Sequence, residues 1–356
     1  MYTFIVNPNA KTGLGYQVWS SLEAILKEKN VNYQVFFTKY QKHATRLAQK
    51  LTQESGAKTL IVLGGDGTIN EVINGIEDLD GTVLGYIPIG SSNDFARGMG
   101  LSTDPVQALK HILSPERFTY INIGTAMYAG KTRRFAVSSG LGFDAGVCHQ
   151  VYVSKLKKLL NKLRLGKLSY AAVALQQILT MTPLKMTLTL DDNTPIELYK
   201  TYFATAMNQK VEGGGFKFCP KADPTDDMLD VIAISDISKL KILTLLPTAF
   251  FGWHVRFRGV HVYRCKKAVF QSERPLPVHT DGEPVFLQKE ITYSLESKKL
   301  RLILSLRWLL RFLTENFLSS VFHTPIAVWT LRTREALKTG LQHYSMQIFE
   351  KHGKNY

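Results

Sequence analysis

The sequence predicts a parallel α/β domain, then a β-rich domain, then a basic amphipathic helical tail. Three observations lead there. Strand-like and helix-like segments alternate over about the first 120 residues, short alternating strand-like pieces dominate beyond them, and after residue 300 a polar stripe recurs at every fourth residue of an apolar stretch.

In the first part, "YTFIV" (Tyr2 to Val6) reads as a strand. A helix follows from roughly Gln17 to Glu28, with Val18, Leu22, Ile25 and Leu26 on one face. "YQVFF" (Tyr33 to Phe37) is a strand, "HATRLAQKLTQ" from His43 a helix, "TLIVL" a strand and "INEVINGI" a helix. "TVLGYIPI" (Thr82 to Ile89) is a further strand, and "NDFARGM" opens another helix. Continuous apolar strands alternating with helices imply a parallel sheet covered on both faces.

Beyond Tyr120 the pieces "RFAVSSGLGF", "KMTLTL", "ELYKTYFATAM", "LDVIAIS", "VRFRGVHVYRC" and "EITYSL" read as strands. A basic helical stretch from residue 151 to 180 interrupts them. In the tail, Arg307, Arg311 and Glu315 lie four apart on a helix that also carries Trp308. It suits docking on the protein's own core or on a membrane surface equally.

Composition narrows the partners. Against 29 Asp+Glu the chain carries 44 Lys+Arg, a formal net charge of +15, which favours anionic partners. The three cysteines (Cys148, Cys219, Cys265) have no CxxC spacing, which speaks against a disulfide framework or structural zinc and fits a reducing compartment. The N-terminal "MYTFIVNPNA" lacks a basic, cleavable leader, and no uninterrupted apolar run of about 18 residues suggests a spanning helix. A soluble cytoplasmic protein is expected.

The informative residues stand at strand ends. Gly64 and Gly65 close a predicted strand, with Asp66, Gly67 and Thr68 next. Glycine lets backbone N–H groups approach a ligand, and a following helix turns its positive end toward it, which makes a phosphate site. Thr68 and Glu71 have T-x-x-E spacing, predicting a capping box and a helix starting at Thr68. "IPIGSSNDFARGMG" repeats the design after the next strand: Ser91 and Ser92 offer hydroxyls, and Asn93 and Asp94 sit at a helix start. Two such loops suit a polyphosphate and its Mg²⁺, with Asp66 and Asp94 orienting the cation. A plain strand-to-helix turn, or an N-cap at Asp94, is the bland reading. Neither a Walker A nor a G-x-G-x-x-G follows the first strand. "TDGE", with Asp281 and Glu283 around Gly282, is by itself a hairpin signal.

Taken in order, "GGDGTINEVING", "GSSNDFAR", "GLGFDA", "GGGFKFCPKA" and "HTDGE" resemble the motifs of the diacylglycerol kinase catalytic-domain family. That family includes soluble bacterial lipid kinases and is related to sphingosine and ceramide kinases. The resemblance spans roughly residues 1 to 300. GGDG alone is shared with NAD kinases and phosphofructokinases; "NDFAR" and "TDGE" are the specific companions.

The resemblance implies a nucleotide-binding α/β domain like that of NAD and diacylglycerol kinases over 1–122, and a lipid-substrate β-sandwich domain over 123–297. It makes about 298–310 a candidate return element of the first domain and leaves 301–356 as tail. It implies ATP in the cleft, Mg²⁺, and γ-phosphate transfer to a lipid hydroxyl, with diacylglycerol the default acceptor. By position, nucleotide contacts fall on Asn7, Pro8, Asn9, Ala10 and Lys11, on Thr38, on Gly65 through Glu71 (including Ile69 and Asn70), and on Ser91. The first loop departs from the family's Asn-Pro-x-Ser-Gly by placing Lys11 where glycine is common.

"CPKADPTDDMLDV" matches the family's structural Mg²⁺ segment, with Asp223, Asp226 and the carbonyl of Met228 as ligands. Asp227 stands where the family has glycine, and an Asp-rich β-turn is the competing reading. The resemblance places the proton acceptor at Asp281 or Glu283. Arg97 is a candidate phosphate contact or a surface brace, and His279 is assigned a structural role.

Residues 151–167 hold six Lys/Arg and no acid, so peripheral association with the anionic inner face of the membrane is expected. Nucleic acid is not expected as a partner, and a homodimer stays open. Two alternatives stand: NAD-kinase-like phosphorylation of a soluble nucleotide, and a non-catalytic binder of anionic lipid or nucleic acid.

Overall fold

The computed structural model describes residues 1–53, 58–142, 178 and 180–304. The basic stretch 151–167 and the tail beyond residue 304 lie outside the described residues, as do the expectations placed on them.

The first lobe is a parallel sheet built from β1 (Tyr2–Val6), β2 (Tyr33–Phe37), β3 (Lys58–Gly64) and β4 (Thr82–Pro88). Its full order is β2-β1-β3-β4-β16-β5, where β5 is Arg117–Ile121 and β16 is Leu300–Leu304. β16 runs parallel to β4 and antiparallel to β5, so the last described strand returns to the first sheet.

Both faces of this sheet are buried. Along β3, Leu60 and Val62 join one apolar cluster while Ile61 and Leu63 join another, the period-two alternation of a strand covered twice. Helices α2 (Gly15–Glu28) and α6 (Pro105–Leu113) cover one face; α3 (His43–Thr52) and α4 (Asp66–Gly75) cover the other. The short α1 (Ala10–Gly13) and α5 (Asp94–Gly98) sit at strand ends.

The second lobe holds β6 (Gly124–Tyr128), β7 (Lys131–Phe135), β8 (Ser138–Gly142), β9 (Leu184–Leu190) and β10 (Ile196–Thr201). It continues with β11 (Phe203–Met207), β12 (Leu229–Ile234), helix α7 (Lys239–Ala249), β13 (Val260–Cys265), β14 (Ala268–Thr280) and β15 (Glu283–Leu295). These ten strands form one antiparallel hydrogen-bonded network wrapped around its own core of Phe135, Leu141, Met186, Phe270 and Tyr293. β14 makes the corner: Ala268–Ser272 pairs with β9, Val278–Thr280 pairs with β8, and the register slips between. A strand that changes partner in this way closes a β-sandwich.

The sequence reading assigns no element to residues 236–254, yet 239–249 are helical, with Pro247 within the last turn. The expected strand "VRFRGVHVYRC" is shorter, since His254–Arg256 forms a 3₁₀ turn and the strand begins at Val260. Among the described residues no helix is long and apolar enough to cross a membrane.

Candidate active site

Four parallel strands deliver four loops to the same edge of the first sheet, where open α/β sheets bind ligands. After β1, Asn7 accepts at Oδ1 from Asn9 N (3.0 Å) and donates from Nδ2 to Thr68 Oγ1 (2.9 Å). After β2, Thr38 N donates to Val6 O at 2.9 Å. After β3 and β4, two glycine turns nearly touch: a Cβ on Gly90 would lie 2.8 Å from Gly65 Cα. A side chain at Gly90 would force the turns apart, and one at Gly65, 3.2 Å from Gly90 Cα, would press on the facing backbone.

The expected capping box at Thr68 and Glu71 does not form. α4 starts at Asp66 with Gly65 as N-cap and no side-chain cap. Thr68 Oγ1 is taken by Asn7, and the Glu71 carboxylate accepts instead from Lys42 N (2.8 Å) and Ala44 N (3.2 Å) at the start of α3. Long-range partners outbid the local pairing because the helix start is crossed by two other loops.

The loops enclose a cleft of about 520 Å³. Of the residues singled out from sequence, Asn7, Asn9, Ala10, Lys11, Thr38, Gly65, Gly67, Thr68, Glu71, Ser91 and Glu283 line it. Lys39, Tyr40, Gln41 and Gly90 line it too; the strand-end rule applied to β2 and β4 points to all four. Pro8, Gly64, Asp66, Ile69, Asn70, Asn93, Asp94 and Asp281 are not among the lining residues. Ile69 is core. Asn93 adopts a left-handed φ of 52° and donates to Gly90 O at 3.0 Å, and Arg97 donates from Nε to Ser92 O at 2.7 Å, bracing the loop.

Glu283 arrives from the second lobe. Asp281 (φ 51°) and Gly282 (φ 80°) make the two-residue hairpin turn between β14 and β15, with Thr280 opposite Glu283. The turn pushes Glu283 against the phosphate-type loop: Oε1 lies 2.7 Å from where a Cβ on Gly67 would stand. Burial raises its carboxyl above the usual range; the Arg133 guanidinium opposes this, while Glu71 and Asp281 add to it.

Asp281 has a different task. Its carboxylate accepts from the N–H groups of Ala136 (2.9 Å), Val137 (2.8 Å) and Ser138 (3.0 Å) and from Asn70 Nδ2 (2.8 Å). Four donors occupy its lone pairs. His279, fully buried, accepts at Nδ1 from Gly282 N (3.1 Å) and faces Glu212 Oε1 with Nε2 at 3.3 Å. The turn is therefore fixed from two sides.

Two arginines of β7 reach across to α4, and no sequence motif marks them. Arg133 donates from Nη2 to Asn70 Oδ1 at 3.1 Å. Arg134 pairs with Glu296 (2.6 Å) and donates to the carbonyls of Ile73 (3.1 Å) and Ile76 (2.5 Å), closing the C-terminal end of α4.

Behind the glycine turns lies a second acidic pair. Burial first, and the neighbouring Asp94 second, push the Asp66 carboxyl up to about 7. Burial also raises Asp94, against two bonds accepted from Gly214 N at 2.9 and 3.0 Å. Two mutually repelling carboxylates beside a phosphate-type cleft are a donor set that suits Mg²⁺.

The third acidic group is the 223–228 turn. Asp223 accepts at Oδ1 from Thr225 N (3.0 Å) and Oγ1 (2.7 Å); Asp226 accepts from Met228 N (3.0 Å) and pairs with Arg264. Asp227 adopts φ 63°, which explains glycine as its usual counterpart, and is held by Asn122 (2.8 Å) and Lys299 (2.7 Å). Burial, with Asp226 and Asp223 adding repulsion, raises Asp230 to about 6. Among the described residues no three His, Cys, Asp or Glu side chains converge as a metal cage. Two carboxylates and a carbonyl from one turn still fit a hard, partly hydrated cation.

Comparison with known proteins agrees with this arrangement. Residues 1–125 match the diacylglycerol kinase catalytic domain, and residues 138–303 match the YegS C-terminal NAD kinase beta sandwich-like domain. The candidate lipid kinase YtlR of Bacillus subtilis (strain 168) is 33% identical over 79% of this chain and 92% of its own length. A diacylglycerol kinase of Mycobacterium tuberculosis (strain H37Rv) is 29% identical over 79% of this chain and 88% of its own. A crystal structure of a diacylglycerol kinase from Bacillus anthracis str. Sterne superposes with a TM-score of 0.62, covering 86% of this chain and 97% of that one. Its 20% identity makes that a likeness of fold.

Proposed function

The chain belongs to the diacylglycerol kinase catalytic-domain family of lipid kinases, and from that premise we propose that it transfers the γ-phosphate of Mg²⁺·ATP to a lipid hydroxyl, with diacylglycerol as acceptor and phosphatidic acid as product. The observation that carries this reading is Glu283, a half-buried carboxylate from the second lobe set against Gly67 of the glycine turn.

The triphosphate lies along the strand-end loops. Main-chain N–H groups at the start of α4 take phosphate oxygens, as helix N-termini do. Lys11 and Lys39 bring positive charge to the same cleft, and Thr68 is oriented by Asn7. The lipid oxygen forms the new bond to the γ-phosphorus while the bond to the β,γ-bridging oxygen breaks and ADP leaves. The alcohol proton passes to Glu283. Asp281 is a positioning residue, holding the turn that carries Glu283.

Asp66 and Asp94 would hold Mg²⁺ with the nucleotide, and Asp223, Asp226 and the Met228 carbonyl would hold a structural one. Bound there, an ion would neutralise phosphate charge at the first site and would crosslink the turn at the second.

The test offers γ-labelled ATP with a panel of lipids and with NAD. Label in the chloroform phase with diacylglycerol supports the reading. Label retained in water with NAD overturns it in favour of a soluble-nucleotide kinase.

A further inference from the structure

We propose that the aromatic rim following α7 is a docking surface for the face of an anionic lipid bilayer. After Ala249 the chain makes a tight turn through Gly252 (φ 73°) into the 3₁₀ turn His254–Arg256. The turn satisfies its own backbone: Phe251 N and Trp253 N both donate to Thr248 O, at 3.1 and 3.0 Å. It is also clamped from below. A Cβ on Gly252 would meet Pro220 Cγ at 2.6 Å, and buried His254 bonds Phe218 O through Nε2 at 3.1 Å.

This rigid base leaves four large aromatics in water. Phe250 is 47% exposed, Phe251 63%, Trp253 55% and Phe257 43%. Phe251 stacks on Trp253 with ring centroids 5.0 Å apart, and Phe250 stacks on Phe216 at 4.0 Å. Folding gains little from holding such side chains outside the core, and an exposed apolar cluster of this kind marks a contact surface.

Charge selects the occupant. Residues 237–258 contain Lys239, Lys241, Arg256 and Arg258 and no aspartate or glutamate. Exposed Arg256 and Arg258 bracket Phe257. Tryptophan and phenylalanine rimmed by cations suit the boundary between anionic headgroups and acyl chains.

Position gives the surface a use, and this step rests on the lipid-kinase reading above. Phe216 closes a bridge with Glu212, and inside that turn Gly214 N holds Asp94. One short loop thus links the rim to the acidic pair behind the cleft. A bilayer seated on the rim would lie one loop away from the acidic pair that this reading gives to the nucleotide's Mg²⁺.

The experiment uses the full chain and vesicles of phosphatidylcholine with phosphatidylglycerol, without ATP. Brominated lipid should quench a component of the tryptophan fluorescence that is missing in Trp253→Phe. Replacing both Phe251 and Trp253 by serine should weaken vesicle partition by about tenfold or more. Identical quenching in wild type and Trp253→Phe overturns the proposal, and so does unchanged partition of the double variant. Since binding is read without turnover, failure to phosphorylate any lipid would overturn the proposed function separately. If the function stands, the double variant should keep its rate on a monodisperse short-chain diacylglycerol and lose it on vesicles. Equal loss on both overturns the docking role.

Discussion

Asn70 Nδ2 donates to Asp281 Oδ2 at 2.8 Å, so the helix behind the glycine turn in one lobe is bonded directly to the acidic turn of the other. In the proposed mechanism the two carboxylates of that turn, two residues apart, divide between holding and reacting. Asp281→Asn keeps one accepting oxygen but sets an NH2 group against two of the four N–H donors, and should cost about 2–4 kcal/mol in urea denaturation. Glu283→Gln should stay within about 1 kcal/mol of wild type and lower kcat by roughly 10²–10⁴. A stable Asp281→Asn with a dead active site, beside a fully active Glu283→Gln, would reverse the two roles.

The pH profile follows from burial of Glu283. A proton acceptor must be ionised, and burial raises this carboxyl, so kcat should rise with pH along a limb above the ordinary glutamate range of about 4.3. Arg133 holds the value down, so Arg133→Met should move the limb to higher pH. A limb that stays in place removes Glu283 from the titration.

Asp66 predicts an inverse dependence for stability. Its carboxyl sits at about 7 in the folded protein against 3.8 as the ordinary value, so between those values the folded chain binds the extra proton. Stability is therefore greatest below about pH 4 on this account and falls as pH rises toward 7, by up to about 4 kcal/mol. Asp66→Asn should flatten that fall when melting is followed in EDTA. Mg²⁺ added to wild type at pH 8 should restore part of what is lost.

Two glycines of one helix separate function from folding. Gly67→Ala sets a methyl 2.7 Å from Glu283 Oε1, the free end of a side chain that can swing away. Activity should drop at least about tenfold with the melting temperature nearly unchanged. Gly75→Ala sets a methyl 2.1 Å from the main-chain oxygen of Thr45, which cannot yield. It should cost about 2–4 kcal/mol. Equal effects of the two on melting would contradict this geometry.

Much of the fold is legible because periodicity survives folding. The apolar runs at Tyr2–Val6 and Tyr33–Phe37 become strands with those bounds, and the Asp-Gly pair at 281–282 makes the hairpin turn its composition signals. What escapes reading is chosen by distant partners. Glu71 looks like half of a capping box until α3 arrives to claim it. Asp281 looks as reactive as Glu283 until three N–H groups of residues 136–138 close on it. Arg133 and Arg134 are an unremarkable basic pair in a strand until α4 packs against them. α7 escaped because its own apolar residues are spread around the helix instead of along one stripe, and Pro247 reads as a breaker.

Strand β16 carries a consequence for biogenesis. During translation the first sheet has a gap between β4 and β5 until residue 304 clears the ribosome, because the strand that fills it is the last described one. The nascent nucleotide lobe waits, with two sticky edges, through the synthesis of the whole sandwich. Cutting the gene at the boundary suggested by motif matching, after residue 125, should yield an aggregating fragment. Supplying the missing strand in cis, by a short linker from Ile121 to a copy of 298–304, should make that lobe expressible on its own.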